Sequence, residues 1–262
     1  GTVGAAVHRL LIESAEDIER ATGHRLRVVK ALVRDLDKER GFALDSDILT
    51  TDVADVVNAK EVALVAEVMR GVDPTSDYVV DLLSAGKHVV TANKQLIARQ
   101  AGDLFAVAAK AGVQLRFEAS VCAAIPVIKV LRESLVVSHV HRVLGIVNGT
   151  TNFILTKMEA GHDYDAALAE AQTLGYAEAD PSEDVGGGDA AAKMAILATI
   201  AFGSRVTLAD DQYAGISEIT PGHIQAAREL GTSVRLDCAA THLDHAVHMW
   251  VGTALLTSAT PL

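Results

Sequence analysis

Short apolar runs alternate with longer amphipathic segments along the first 117 residues. The runs are rich in Val, Ile and Leu, which is typical of buried strands, whereas the longer segments repeat apolar residues at helical spacing. Strands are predicted at residues 26–34, 62–68, 88–92 and 114–117. Helices are predicted directly after Gly4, from Pro74 to a stop at Gly86, and over residues 94–111. Because strands and helices alternate over tight connections, we predict a parallel sheet with right-handed crossovers.

From residue 118 onward this regular alternation is lost. A helix is predicted to begin at Pro126, and others at residues 164–174, at 190–202 and after Thr220-Pro221. Strands are predicted at 136–147, 233–240 and 246–253. The segment 190–202 is apolar on almost every side, which predicts a buried helix. The chain is therefore predicted to be an α/β protein, with a Rossmann-like parallel-sheet domain at 1–117 and an α+β domain at 118–262.

Composition narrows the class of protein. Of the 262 residues, 50% are hydrophobic and 4% aromatic, a balance typical of α/β enzymes with a sizeable core. The net charge of −11 argues against nucleic acid as a partner, because phosphate binding needs clustered Lys and Arg. The two cysteines are not spaced as a disulfide framework, and no apolar run in the sequence is long enough for a membrane span. We therefore expect a cytoplasmic protein.

The chain begins with Gly1-Thr2-Val3-Gly4, immediately before a helical pattern. Gly1 and Gly4 match the last two glycines of the G-x-G-x-x-G fingerprint, in which pyrophosphate approaches a helix N-terminus. The first glycine of that fingerprint and the strand before it are missing from the sequence, so a fragment or a truncated chain is expected. A plain helix start is the alternative interpretation.

Charged residues follow the second predicted strand, where the ribose of a bound dinucleotide would lie. Arg34 would accommodate the 2′-phosphate of NADP, whereas Asp35 would favour the free 2′-hydroxyl of NAD. With both present, the sequence leaves NAD and NADP open, and a solvated charged turn is a further alternative. Lys94 follows another strand directly, at the sheet edge where ligands of parallel sheets bind.

One lysine lies among five carboxylates between residues 174 and 193. The lysine is Lys193, and the acids are Glu178, Asp180, Glu183, Asp184 and Asp189. If a helix starts near Asp189, Asp189 and Lys193 lie on the same face, because residues four apart are neighbours. A carboxylate can hold an ammonium group, and a lysine in an apolar surround can give a proton to a developing alkoxide. This pattern suits a small zwitterionic substrate, although an N-cap and an ordinary helix ion pair would also explain it.

Four motifs are spread over nearly the whole chain. They are G-K-H-V-V-T-A-N-K at 86–94, E-A-S-V-C-A-A-I-P-V at 118–127, G-I-V-N-G-T-T-N-F-I-L at 145–155, and G-Y-A-E-A-D-P with D-V-G-G-G-D-A-A-A-K at 175–181 and 184–193. Together they resemble the homoserine dehydrogenases, which interconvert aspartate semialdehyde and homoserine with NAD(P)H. The resemblance implies a cofactor domain, a second domain for substrate binding and dimerisation, and a homodimer.

The resemblance also implies roles for individual residues. Lys193 would be the general acid, Lys94 would assist beside the nicotinamide, and Asp189 would orient Lys193 or the substrate hydroxyl. Glu178 and Asp184 would hold the substrate amino group or its water network. The remaining residues lining the substrate would be Gly149, Thr150 and Tyr176. The cofactor would be contacted by Gly1, Thr2, Val3, Gly4, Arg34, Lys94 and Gly175. Thr150 could equally serve as the N-cap of the helix that follows it.

A monovalent cation, with sodium the expected ion, is a further implication of the resemblance. Its ligands would be the backbone carbonyls of Glu118, Val121, Ala123 and Ile125, a set that leaves no side-chain signature. The chain departs from the family at Met69-Arg70-Gly71, where a Gly-Gly pair is usual, and it lacks the family's glycine-rich segment at its C-terminal end.

The remaining alternatives concern the class of function. Cys122 has no neighbouring base or positive charge in sequence, which disfavours a thiol nucleophile of the aspartate semialdehyde dehydrogenase kind. Another Rossmann oxidoreductase of amino-acid metabolism would keep the sheet but should not combine the acidic loop with Lys193. A homologue without turnover, acting only in binding, is the other alternative.

Overall fold

In a computed structural model, the chain divides into two units, Gly1–Ala119 and Ser120–Leu262. The structure describes residues 1–38, 40, 46–208, 213–244, 246–257 and 259–260. The first unit is built on parallel strands and the second on an antiparallel sheet, so the predicted mixed α/β fold class is confirmed. Within the described residues, no helix has the length and apolar character needed to cross a membrane.

The first unit contains a three-stranded parallel sheet in the order β3-β4-β5 and a separate parallel pair, β1-β2. Its strands are β1 Ala31–Leu32, β2 Leu49–Thr50, β3 Leu64–Glu67, β4 His88–Thr91 and β5 Leu115–Arg116. Its helices are α1 Thr2–Glu13, α2 Ala15–Thr22, α3 Val53–Val57, α4 Thr75–Ser84 and α5 Lys94–Ala111. Each connection between the three sheet strands contains one helix, as the alternating sequence pattern predicts.

The helix α5 shows how closely local signals set an element. The Asn93 side chain caps its start by accepting from Leu96 N, and Gly112 ends it with a left-handed backbone, φ 70°. Leu96, Ile97 and Leu104 lie on its buried face. By contrast, the strand predicted at 26–34 is reduced to β1, because only Ala31 and Leu32 pair with β2 as strand residues.

The second unit contains the antiparallel sheet β6-β7-β8. Its strands are β6 Arg142–Gly145, β7 Thr232–Leu243 and β8 Ala246–Thr257. Its helices are α6 Val127–Lys129, which continues as a π-helical turn at Val130–Ser134, α7 Gly149–Glu159, α8 Tyr164–Thr173, α9 Ser182–Val185, α10 Gly188–Phe202 and α11 Pro221–Glu229. The strand predicted at 136–147 is wrong over much of its length, because pairing with β7 covers only β6.

The core of this unit lies between one face of the sheet and the helices. Val234, Leu236, Cys238 and Ala240 alternate along β7 and are all buried. The helix α10 packs on β7 and β8, and most of its residues from Asp189 to Ala198 are buried, as its apolar sequence predicts. The burial of α10 fixes the position of Lys193, which lies on its second turn.

Candidate functional site

Gly187, at the junction of α9 and α10, and Gly215 let two backbone segments pass at close range. Gly187 has φ 86°, and a Cβ at this position would lie 2.9 Å from the carbonyl oxygen of Ala214. A Cβ on Gly215 would overlap the carbonyl oxygen of Val185, and Ile216 N donates to that same oxygen at 2.8 Å. The glycines are therefore required by this crossing, which anchors the acidic loop and sets the direction in which α10 begins.

Lys193 and Asp189 form an ion pair on adjacent turns of α10. The distance from Lys193 Nζ to Asp189 Oδ2 is 2.8 Å, and Lys193 Nζ also donates to the carbonyl oxygen of Val147 at 3.0 Å. The Asp189 side chain is 4% exposed and that of Lys193 is 18% exposed. Gly187, not Asp189, is the N-cap of α10, so Asp189 pairs with the lysine from inside the first turn. The amine is thus held in position and still reaches the surface.

Asn148 joins two of the carboxylates. Its Nδ2 donates to Asp184 Oδ1 at 2.7 Å and to Asp189 Oδ2 at 2.8 Å. Its Oδ1 accepts from Thr151 N at 2.8 Å and caps α7. The alternative in which Thr150 is the N-cap of this helix is wrong, because Asn148 is the N-cap and Thr150 is already the second residue of α7. Sequence reasoning missed Asn148, although asparagine before a helix is a common N-cap signal.

Thr150 and Tyr176 lie next to each other in the structure. Thr150 Oγ1 donates to the backbone carbonyl of Tyr176 at 2.7 Å. Tyr176 is 60% exposed as a residue, and its ring packs against Phe153 of α7 with the ring centroids 5.0 Å apart. Lys157 Nζ lies 5.4 Å from the Phe153 centroid on the same helix. Phe153 therefore packs against one side of the Tyr176 ring, and the rest of Tyr176 remains accessible to solvent.

Gly149 and Glu178 complete the predicted substrate set, and Gly175 is the one predicted cofactor contact in the same unit. Gly149 is the exposed first residue of α7, and Gly175 ends α8 with φ 79°. Glu178 is exposed, and Gln172 Nε2 donates to its backbone carbonyl at 3.0 Å. The structure therefore brings together Asp184, Asp189 and Lys193 through Asn148, and Thr150 with Tyr176.

Cys238 lies on β7, the strand against which α10 packs. It is fully buried, and burial together with the neighbouring Asp237 raises the pKa of its thiol to about 12. The charges of Asp189 and Lys193 contribute to this pKa with opposite signs, Asp189 raising it and Lys193 lowering it. A thiol with this pKa stays neutral at physiological pH.

The residues predicted to bind the cofactor lie in the first unit, apart from Gly175. Gly1 is the N-cap of α1, and the amides of Thr2, Val3 and Gly4 precede the first intrahelical bond, from Ala5 N to Gly1 O. No side chain of the described residues caps this helix. Lys94 is the first residue of α5, and Arg34 is exposed two residues after β1.

A buried carboxylate at the ends of β3 and β4 was not predicted. Glu67 accepts a short hydrogen bond from Thr91 Oγ1 and another from Met69 N at 2.6 Å. Burial raises its pKa, and the two hydrogen bonds lower it in part. Asn93 adds a bond from its Nδ2 to the carbonyl of Gly71 at 2.6 Å. These bonds hold the Met69-Arg70-Gly71 segment beside the start of α5.

The four predicted cation ligands lie on both sides of the unit boundary. Glu118 begins a 3₁₀ turn in the first unit, whereas Val121, Ala123 and Ile125 belong to the second. Ala123 has φ 49°, an uncommon backbone for a residue with a side chain. The carbonyl of Ile125 accepts from Val127 N at 2.8 Å, and a carbonyl oxygen has a second lone pair.

Comparison with known proteins identifies the same family for both units. Residues 126–262 match the family described as homoserine dehydrogenase, and residues 1–118 match its NAD binding domain. The homoserine dehydrogenase of Bacillus subtilis is 43% identical over 263 aligned positions, covering 100% of this chain and 61% of that protein. That of Mycobacterium tuberculosis is 48% identical over 238 positions, covering 90% of the chain and 53% of the protein.

Solved structures give the same result. A homoserine dehydrogenase from Thiobacillus denitrificans superposes with a TM-score of 0.92 at 42% identity, over 100% of this chain and 61% of that one. A hyperthermophilic archaeal homoserine dehydrogenase in complex with NADPH gives a TM-score of 0.70 at 28% identity, over 96% and 69% of the two chains. The chain therefore spans between about half and two thirds of the length of these relatives.

Proposed function

The chain belongs to the homoserine dehydrogenase family, and we propose that it takes part in the NAD(P)-dependent interconversion of L-aspartate 4-semialdehyde and L-homoserine. The observation that carries this proposal is the Lys193–Asp189 ion pair within the family motif. A protonated amine held at 2.8 Å by a buried carboxylate, with its side chain still partly exposed, is placed to exchange a proton with a substrate oxygen. The bound nicotinamide supplies the hydride.

In the direction of reduction, Lys193 gives a proton to the oxygen of the aldehyde as hydride reaches the carbon. In the direction of oxidation, it accepts the proton of the homoserine hydroxyl. Asp189 and the Val147 carbonyl fix the Nζ atom, so its position does not depend on the substrate. As the family resemblance implies, Lys94, at the start of α5, would assist beside the nicotinamide.

The acidic loop supplies the contacts to the substrate amino group. Asp184 is held by Asn148, and its carboxylate has the charge needed for an ammonium group. Glu178 contributes a second carboxylate from the exposed part of the loop. The substrate carboxylate meets Gly149 and Thr150 at the start of α7, where backbone amides point out of the helix. Tyr176, which is exposed, would line the substrate as the family resemblance implies.

The start of α1 suits the pyrophosphate of NAD(P). The amides of Thr2, Val3 and Gly4 have no intrahelical partner, and no side chain of the described residues caps them. A Cβ on Gly4 would lie 3.6 Å from Val68 Cγ2, so the first turn of α1 lies directly beside the end of β3. Arg34 would hold the 2′-phosphate of NADP. The complex of the archaeal relative with NADPH supports a nicotinamide cofactor of this kind.

We also propose the monovalent cation, with the carbonyls of Glu118, Val121, Ala123 and Ile125 as ligands. The segment 121–125 has no helix or strand and Ala123 has a left-handed backbone, so its carbonyls are not committed to regular secondary structure. The described residues contain no group of three or more His, Cys, Asp or Glu side chains that could hold a metal ion. Sodium titration at constant ionic strength, followed by activity and thermal stability, tests this site.

A homodimer through the sheet face opposite α10 is the proposed assembly. Leu144, Ala239 and Trp250 lie in one row across β6, β7 and β8, and Trp250 is 43% exposed. In the next row, Asp237 is buried but its Oδ1 has no hydrogen-bond partner in the described structure. Trp250→Glu should give a monomer in sedimentation velocity, whereas Leu230→Glu, which changes an exposed residue at the end of α11, should not.

Cys122 and Cys238 form no disulfide with each other, which is compatible with the expected cytoplasmic location.

The decisive experiment is turnover by the chain with homoserine and each nicotinamide, measured from the absorbance of the reduced cofactor. Lys193→Ala should lower kcat by about a hundredfold or more, since positioned general acids contribute about 10² to 10⁴. Lys110→Ala, a change at the last turn of α5, is the control and should keep full activity. Equal rates for wild type and Lys193→Ala would remove this lysine from its role. Binding of the cofactor without turnover would favour the alternative of a homologue that only binds.

A further inference from the structure

The side-chain amide of Asn148 uses all of its hydrogen-bonding capacity within the candidate site. Its two Nδ2 hydrogens go to two different carboxylates, Asp184 at 2.7 Å and Asp189 at 2.8 Å. Its Oδ1 accepts from Thr151 N at 2.8 Å and from Thr151 Oγ1 at 3.0 Å. Because donors surround the oxygen and acceptors surround the nitrogen, the amide has one orientation. The residue is almost fully buried, so water cannot easily replace these bonds.

We propose that Asn148 is a positioning residue that couples substrate binding to proton transfer. The proposal rests on the function proposed above, in which Asp184 holds the substrate amino group and Asp189 holds Lys193. Asn148 Nδ2 lies within hydrogen-bond distance of both carboxylates. A shift of Asp184 therefore changes the position of the amide, and through it that of Asp189. Asn148 also lies between two negative groups that would otherwise repel each other at close range.

Capping α7 does not explain this arrangement. An N-cap needs only an oxygen acceptor, and α3 is capped by Asp52, which has no donor, and α11 by Thr220. The two Nδ2 bonds are therefore additional to the cap. Serine at this position would keep an acceptor for Thr151 N and remove both Nδ2 donors, and its single hydroxyl hydrogen cannot serve two carboxylates at once. Asn148→Ser thus separates the cap from the link between the carboxylates.

Steady-state kinetics of Asn148→Ser in three backgrounds test the coupling. In the wild-type background, we expect kcat to fall and the KM for homoserine to rise, each by about tenfold, because hydrogen bonds to charged groups are worth a factor of that order. In an Asp189→Asn background, the further effect on kcat should shrink to less than about twofold while the effect on KM remains. In an Asp184→Asn background, the effect on KM should shrink and the effect on kcat should remain.

Two outcomes would overturn the proposal. A purely structural role predicts the same fold-loss in kcat and KM in every background, and a dispensable amide predicts no loss at all. Thr220→Ala removes the N-cap of α11 in the same unit and controls for general loosening, since it should lower the melting temperature without this division between kcat and KM.

A measurement without turnover keeps the proposal separate from the proposed function. In NMR spectra of the chain, the two Nδ2 protons of Asn148 should be distinct, and Asp184→Asn should shift one while Asp189→Asn shifts the other. If turnover is absent but the two protons respond in this way, the proposed function fails and the positioning role stands. If both protons ignore both substitutions, the positioning role is refuted whether or not the chain is active.

Discussion

Replacing Gly187 with alanine should destabilise the second unit by about 2–4 kcal/mol. Two costs contribute. A residue with a side chain pays about 1–2 kcal/mol for the left-handed backbone, here φ 86°, and this is partly offset by the smaller entropy of the unfolded chain. The new Cβ would also lie 2.9 Å from the Ala214 carbonyl oxygen and 3.1 Å from its carbonyl carbon. These are backbone atoms that cannot rotate away, so an overpacking cost of about 1–3 kcal/mol is added.

Gly203 provides a matched control at the other end of the same helix. It has φ 64°, and no atom lies within 4 Å of the position its Cβ would take. Gly203→Ala therefore carries the backbone cost without the overlap, and we expect it to lose only about 1 kcal/mol. The difference between Gly187→Ala and Gly203→Ala measures the cost of pushing apart two backbone segments at the site.

Urea unfolding followed by tryptophan fluorescence is the appropriate assay. Trp250 is the single tryptophan of the chain and lies on β8, so its signal reports the unit that contains both glycines. With a urea m-value of about 1–3 kcal/mol/M, Gly187→Ala should lower the midpoint by about 1 M more than Gly203→Ala does. Equal midpoints for the two variants would refute the reasoning that the Ala214–Gly215 backbone constrains the start of α10.

Three further predictions concern other parts of the chain. Because the pKa of Glu67 is raised in the folded state, folding takes up a proton at pH values above the usual glutamate pKa. The free energy of unfolding of wild type, relative to that of Glu67→Gln, should therefore fall as the pH increases above that value. Calorimetry measures both proteins, and a difference between them that does not change with pH would show that the pKa is not raised. Cys238, fully buried and with its thiol pKa raised to about 12, should resist iodoacetamide at neutral pH until urea is added, whereas the half-buried Cys122 should react first, and mass spectrometry of modified peptides distinguishes the two. Arg34→Ala should raise the KM for NADPH about tenfold and leave that for NADH nearly unchanged; an equal effect on both would show that Arg34 does not contact the 2′-phosphate.

Local signals predicted several elements closely. Asn93 and Gly112 mark the ends of α5 as cap residues do, and the apolar sequence of α10 predicted its burial. The spacing of Asp189 and Lys193 predicted their shared face, because four residues make about one turn of helix. These features depend on residues that are neighbours in sequence, so their physical basis can be read from the chain itself.

Features that depend on distant residues could not be predicted in the same way. Asn148 is linked to Asp184 and Asp189, which follow it in sequence by 36 and 41 positions. The strand predicted at 136–147 failed because an apolar run can form a ladder only where a partner strand is available, and here β7 offers one only to β6. Glu67 was missed because a carboxylate at the end of an apolar strand gives no sign that Thr91 will donate to it.

The crossing at Gly187 also imposes an order of assembly on the growing polypeptide. Ala214, which the acidic loop contacts, is itself tied to β8, since Ala214 N donates to Val251 O at 3.0 Å and Tyr213 bridges to Val251. During synthesis, Lys193 leaves the ribosome well before β8, the strand with which Tyr213 and Ala214 pair. A nascent chain halted before β8 should therefore carry every proposed acid and the lysine, yet hold them in no fixed arrangement.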